Sequence, residues 1–424
     1  MTAKISAQSL QNLIEHRQEL ALLDIRKHED FIKGHLWLAI NIPHDSIESR
    51  IRGYVPRLDS KIVLIDAEGN KLASEVAKSL GTIGYSDLCI LRGGVEHWQQ
   101  SGMPTITGDY VLAHSLGLYV NQILQTPSIS ADSLMQKLEA GEDVLIIDSR
   151  DPRDYQDSTL PDAVNVPIAD MVCRVPDLID DQSTQIVVHC GGVTRGVLGA
   201  QTLIDAQLEN PVMWLREGTT GWCLSGGELC HGEIKPVKPA SQAAITYAAK
   251  TARDLVEQWN LVYLEPSDIE EWIGENPQRT CYLIDVRSSE EFLSDHYANA
   301  IHIPGGELVG MTQDHIATYH ARLCLIGDAD TARAEITAAW MLKNGWTDIV
   351  LLRNWERAAE PEDAGRSSEA VTASGPSAKP TGKPEPAATK QLQASVDIRQ
   401  HIFKSFMQDH PYSFNLKESK PPHR

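Results

Sequence analysis

The chain contains no Cys-x-x-Cys pair, no cluster of residues at zinc-ligand spacing, and no apolar run approaching 18 residues. Its seven cysteines are an odd number in 424 residues, which does not suit a disulfide framework. The absent ligand spacing argues against a structural zinc site, and nothing in the chain asks for an organic cofactor, so neither is expected. Without a long apolar run there is no candidate membrane span. Positive charge is scarce, with 38 Lys and Arg against 58 Asp and Glu and a net charge of −20. Such a balance disfavours a nucleic-acid or anionic-membrane partner and favours solubility. Residues 1–20 lack an apolar segment of the secretory type, so a cytoplasmic protein is the expectation.

What remains is an ordinary globular composition, 42% hydrophobic and 23% charged, at a length that allows about three domains. Three segments align with one another. They run from Asp24-Ile25-Arg26 to Asn41-Ile42-Pro43, from Asp148-Ser149-Arg150 to Asn165-Val166-Pro167, and from Asp285-Val286-Arg287 to His302-Ile303-Pro304. The Asp-to-Pro spacing is the same in all three. Each copy continues through a second apolar strand, a helix, and a third strand that closes on Leu-Arg, at Arg92, Arg216 and Arg353. Strands alternating with helices in repeats of about 100 residues predict an α/β fold, with a mainly parallel sheet flanked by helices in each repeat.

The middle copy carries the chemically distinctive stretch. Residues 186–188 read as a buried strand and residues 197–204 as the following helix, so Cys190 opens a strand-to-helix loop, 190–196. Backbone N–H groups and the positive end of a helix dipole converge on such a loop and favour a thiolate. Gly191 and Gly192 are expected to let the backbone curl there without Cβ clashes, and Arg195 adds a fixed positive charge. A buried structural thiol is the competing reading of Cys190 taken alone.

The D-x-R opening, the A-x-N-x-P step, the strand-Cys-loop-helix and the L-R-G-G-x-x-W ending resemble the rhodanese (sulfurtransferase) family. The resemblance covers residues 1 to about 357. It implies three tandem rhodanese-like domains, in which Cys190 accepts a sulfane sulfur as a persulfide and passes it to cyanide or a thiol. The loop of Gly191, Gly192, Val193, Thr194 and Gly196 would hold the sulfur. Arg195 would either contact an anionic donor or turn inward to pair with a carboxylate. Phosphatases related to this fold need five residues between Cys and Arg. Here there are four, Gly191 to Thr194, which suits a single terminal sulfur better than a phosphoryl group. Thiosulfate is the first donor expected, then 3-mercaptopyruvate, then a protein persulfide; a non-catalytic binding scaffold is the alternative. The partners implied are a small-molecule sulfur donor and a thiol acceptor, which a protein could supply.

The copies are expected at residues 1–107, 128–234 and 262–357, with a connector at 108–127 that packs on a neighbouring domain and a helical linker at 235–261. Alignment places Asp66 and Asp328 at the nucleophile position of the first and third copies, which are therefore expected to be inactive in transfer. Asp66 is expected to cap the helix that starts near Leu72. In the middle copy Ser158-Thr159-Leu160 replaces the Gly34-His35-Leu36 step of the first. Cys173, Cys223 and Cys230 read as packing residues, or one of them as a resolving thiol. Residues 358–424 open on a Pro-, Ala- and Ser-rich stretch and are expected to be disordered, with one short amphipathic helix near residues 396–407.

Overall fold

The computed structural model describes residues 2–355, apart from 110, 180, 234–237 and 329. The tail expected at 358–424, with its short helix, lies outside the described residues. Among those described, three sheets form, one for each repeat. In the second copy Ser128–Ile129, Val212–Leu215, Gln185–His189, Val144–Asp148 and Val164–Asn165 lie side by side in that order, all parallel. The third copy repeats this order with Val262–Leu264, Ile349–Leu352, Arg322–Ile326, Cys281–Asp285 and Ile301–His302. The central strands are buried on both faces, which is why they are continuous runs of Ile, Val and Leu rather than alternating ones.

The first sheet has the same order but gains a strand that does not belong to it. Thr318–Tyr319, from the third copy, pairs antiparallel with the edge of Leu20–Asp24. The first and third copies are thus joined through backbone hydrogen bonds. Glu19 reinforces the junction: its carboxylate accepts from the Thr280 N–H (2.9 Å), the Thr280 hydroxyl (2.6 Å), Arg279 Nε (3.0 Å) and Arg57 Nη2 (3.2 Å).

The connector forms a helix, Val111–Leu124, that packs on Thr194–Asp205, the helix following Cys190. Gly117 permits the close approach, since a Cβ there would sit 2.6 Å from the Thr194 Cα. The Thr194 hydroxyl donates to the Ala113 carbonyl at 2.7 Å. The linker helix runs over Gln242–Trp259, started by Ser241 accepting from the Ala244 N–H and stopped by Asn260 in the left-handed conformation. Leu116 and Val120 of the connector, Val197 and Leu198 of the second copy and Leu308, Ile336 and Trp340 of the third belong to one apolar cluster. At about 1.5–3 kcal/mol for each large side chain buried, this shared core binds the second and third copies into one body. Among the described residues, no helix is long and apolar enough to cross a membrane.

Candidate active site

The D-x-R motif builds the same scaffold three times. A carboxylate at the end of the second strand in each copy, Asp24, Asp148 or Asp285, is fully buried. The arginine two residues on satisfies it, with Nη2–Oδ2 distances of 2.6, 2.7 and 2.7 Å. That arginine also donates to the carbonyl eight residues after itself, at Gly34, Ser158 and Asp295. The asparagine of the A-x-N-x-P step ties down the same turn: Asn165 Nδ2 donates to the carbonyls of Asp148 (3.1 Å) and Arg150 (2.8 Å). The Ser-Thr-Leu replacement in the middle copy now has a reason, because the Thr159 hydroxyl donates to Asp148 Oδ2 at 2.8 Å. Burial pushes the Asp148 carboxyl up, but Arg150, the neighbouring His189 and Thr159 together outweigh it and hold the group below the usual range. At Asp24 burial outweighs Arg26, and the carboxyl is raised.

The strand Gln185–His189 delivers Cys190 to the sheet's carboxyl end. The helix begins at Thr194, three residues earlier than the apolar pattern suggested, so Arg195 stands in its first turn. The Gly192 N–H points at Cys190 Sγ, 3.4 Å away. Behind the loop, the Thr219 N–H donates to the Cys190 carbonyl at 2.8 Å, and the Thr220 hydroxyl donates to that of Gly191 at 3.0 Å. Gly218 makes this buttress possible: it sits at φ +51°, and a Cβ would lie 2.0 Å from the Cys190 carbonyl oxygen.

Two expectations about the loop are corrected. Gly191 and Gly192 have no positive φ, and a Cβ on either would meet nothing within 4 Å, so backbone curvature does not demand them. What they leave is open space beside the sulfur. Nor does the loop lower the Cys190 thiol. Burial pushes the Cys190 thiol up, and Arg195 with the N–H groups of Gly192 and Gly196 only partly offsets this. His189 is fully buried, and burial pushes it down toward the neutral ring.

Arg195 turns away from solvent into two carboxylates. Nη2 meets Asp154 Oδ2 of its own copy at 2.9 Å, and Nη1 meets Glu307 Oε1 of the third copy at 2.6 Å. The third copy mirrors this. Arg333 meets Glu291 of its own copy at 2.6 Å, Asp170 of the second copy at 2.6 Å, and Asp328 at 3.1 Å. Asp154 and Glu291 each stand six residues after their motif aspartate, and Asp170 and Glu307 each stand 22 after it. The second and third copies therefore face one another through a reciprocal pair of clamps. Glu307 escaped the sequence reading, yet the acidic residue at a matching offset in these two copies, with Ser46 in the first, was a signal that could have found it.

The two aspartate loops hold their own backbone. Asp66 accepts from the N–H groups of Gly69 and, at 3.1 Å, Ala73, capping the helix Lys71–Thr82. Asp328 accepts from the Asp330 N–H (3.3 Å) and from Arg333. All seven cysteines are free. Cys173 points its sulfur at the Asp330 carbonyl, 3.8 Å away, while Cys223 and Cys230 are exposed.

A parallel α/β unit with a cysteine at a strand-to-helix loop defines a thiol-centred α/β domain, and comparison with known proteins gives the family. A rhodanese-like domain model matches residues 6–101 and 130–225. A sulfurtransferase of Allochromatium vinosum is 30% identical over 98 residues, 23% of this chain and 89% of that protein. The crystal structure of a thiosulfate sulfurtransferase from Pseudomonas aeruginosa is similar at a TM-score of 0.80 and 34% identity, over 87% of this chain and 69% of that one. The uncharacterized protein YibN of Escherichia coli K12 is 26% identical over 94 residues, 65% of its length. This chain belongs to the rhodanese-like family.

Proposed function

We propose that this protein is a sulfurtransferase in which Cys190 carries a sulfane sulfur as a persulfide between a thiosulfate-type donor and a thiophilic acceptor. The observation that carries the reading is the Cys190 loop itself. A thiol stands before a helix N-terminus, with the Gly192 N–H aimed at the sulfur and open space beside Gly191 and Gly192. In the first step the thiolate attacks the outer sulfur of the donor: a Cys190 S–S bond forms, the donor's S–S bond breaks, and its electron pair leaves with sulfite. The thiol proton goes to water beforehand. The N–H groups of the loop then face the terminal persulfide anion, which cyanide or a thiol removes.

Thiosulfate ranks first as donor because the similar Pseudomonas aeruginosa protein is named for it; 3-mercaptopyruvate and a protein persulfide follow. The acceptor is a small thiol or a protein thiol. We read the chain as three tandem units, 1–107, 128–234 and 262–357, of which only the second transfers sulfur. Asp66 and Asp328 spend their carboxylates on their own loops and cannot carry sulfane sulfur. The test is the intact mass of the protein after incubation with thiosulfate: one added sulfur in the wild type and none in Cys190→Ser.

A further inference from the structure

The cation whose charge acts on the Cys190 thiol is paired from both sides of a domain boundary. Arg195, five residues after Cys190, is held by Asp154 at 2.9 Å and by Glu307 of the third copy at 2.6 Å. The three groups together carry a formal net charge of −1; burial pushes the Glu307 carboxyl up, and Arg195 beside it pulls the other way. The pair is poorly screened, since the Arg195 side chain is 15% exposed and that of Glu307 20%. The contact is also built in. Gly310, three residues after Glu307, lies against the arginine's stem, where a Cβ would come within 2.8 Å of Arg195 Cγ.

We propose that Glu307 is a specificity-determining residue for the sulfur-transfer site, setting the charge of the donor that Cys190 accepts. By occupying Arg195 it weakens the attraction for a dianion such as thiosulfate and favours sulfane-sulfur donors of lower negative charge, such as thiosulfonates or organic persulfides. The inference rests on the reading of Cys190 as the sulfur carrier. Glu307 touches Arg195 rather than the reacting sulfur, so it acts by position and charge.

Thiosulfate and methanethiosulfonate isolate this effect, because both present the same outer sulfur and differ by one negative charge. In each case the Cys190 thiolate forms an S–S bond to that sulfur, the donor's S–S bond breaks, and the electron pair leaves with sulfite or with methanesulfinate. Charge balances in both. The experiment measures kcat/KM for the two donors, with cyanide as acceptor, in the full-length wild type and in E307Q, E307D and D170N. E307Q is expected to shift the ratio of the two toward thiosulfate by roughly tenfold relative to wild type, as removal of one nearby charge in a partly desolvated site should.

E307D keeps the charge and should keep the wild-type ratio. D170N breaks the mirror-related clamp on Arg333 and should leave the ratio unchanged, which a general loosening of the interface would not. If both donors load and E307Q leaves their ratio unaltered, Glu307 does not set donor charge and the proposal is overturned while sulfur transfer stands. If neither donor loads wild-type Cys190, the sulfur-transfer reading itself fails and takes this inference with it.

Discussion

Cys190, the proposed nucleophile, sits where burial disfavours its thiolate. Its thiol is 3% exposed, and burial raises its pKa despite Arg195 and the loop N–H groups. Because the thiolate is the attacking species, raising the pH increases the reactive fraction, by about tenfold per unit while the pH stays below the thiol's pKa. The rate of sulfur loading from a saturating donor should therefore climb steadily from pH 6 to pH 9 in stopped-flow measurements. A flat profile over that range would mean that the thiol is already ionised in the resting protein. At the same scale, Thr159 was visible in the sequence only as a departure from its siblings. Its role, a further hydrogen bond to Asp148 beside those from Arg150, depends on a contact that no spacing announces.

The element that matters most is the paired loop, residues 190–193 resting on the turn before the helix Gly218–Leu224. The first copy makes the same arrangement, with Val95 N–H on the Asp66 carbonyl at 3.0 Å, so the buttress belongs to the fold and the cysteine to the chemistry. Replacing Gly218 with Ala forces a Cβ into the Cys190 carbonyl at a left-handed φ. The cost is expected to be about 2–3 kcal/mol in urea unfolding, with sulfur loading falling more steeply than stability, because the displaced backbone is the nucleophile's own.

Strands, helices and the Cys190 loop were legible because each rests on local pattern: apolar runs, caps, and a buried Asp answered two residues later by Arg. The edge strand Thr318–Tyr319 was not, since two residues pairing with a sheet formed 300 residues earlier leave no periodic trace. Gly191 and Gly192 misled in the opposite way, because glycine at a turn suggests a backbone need that their φ values do not have.

In the whole molecule the third copy is the hinge-pin of the assembly. It lends a strand to the first sheet, shares its core with the second copy, and closes the ion-pair clamp on Arg195. With Asp328 at the position aligned with Cys190, it contributes a carboxylate, Glu307, beside the Cys190 loop. The first copy meets it through Glu19, the Thr318–Tyr319 pairing, Ser60 against Thr280, the Tyr282 hydroxyl donating to the Tyr54 carbonyl, and Ala317 and Tyr319 packed into the first copy's core. Glu19→Ala leaves the Thr280 N–H without its acceptor and removes the carboxylate facing Arg57 and Arg279, which should cost on the order of 2 kcal/mol. Because that loss falls on one junction, urea unfolding followed by circular dichroism should split, with the first copy melting before the rest. A single transition at the wild-type midpoint would show that the junction does not depend on this carboxylate.

Intact-mass spectrometry asks whether Cys190 alone carries the transferable sulfur. Wild type and Cys190→Ser would be incubated with thiosulfate or methanethiosulfonate, weighed, then treated with cyanide and weighed again. The account predicts one added sulfur atom on the wild type, its removal by cyanide, and no gain on Cys190→Ser. An unchanged wild-type mass with both donors, or a gain that survives Cys190→Ser, would contradict it.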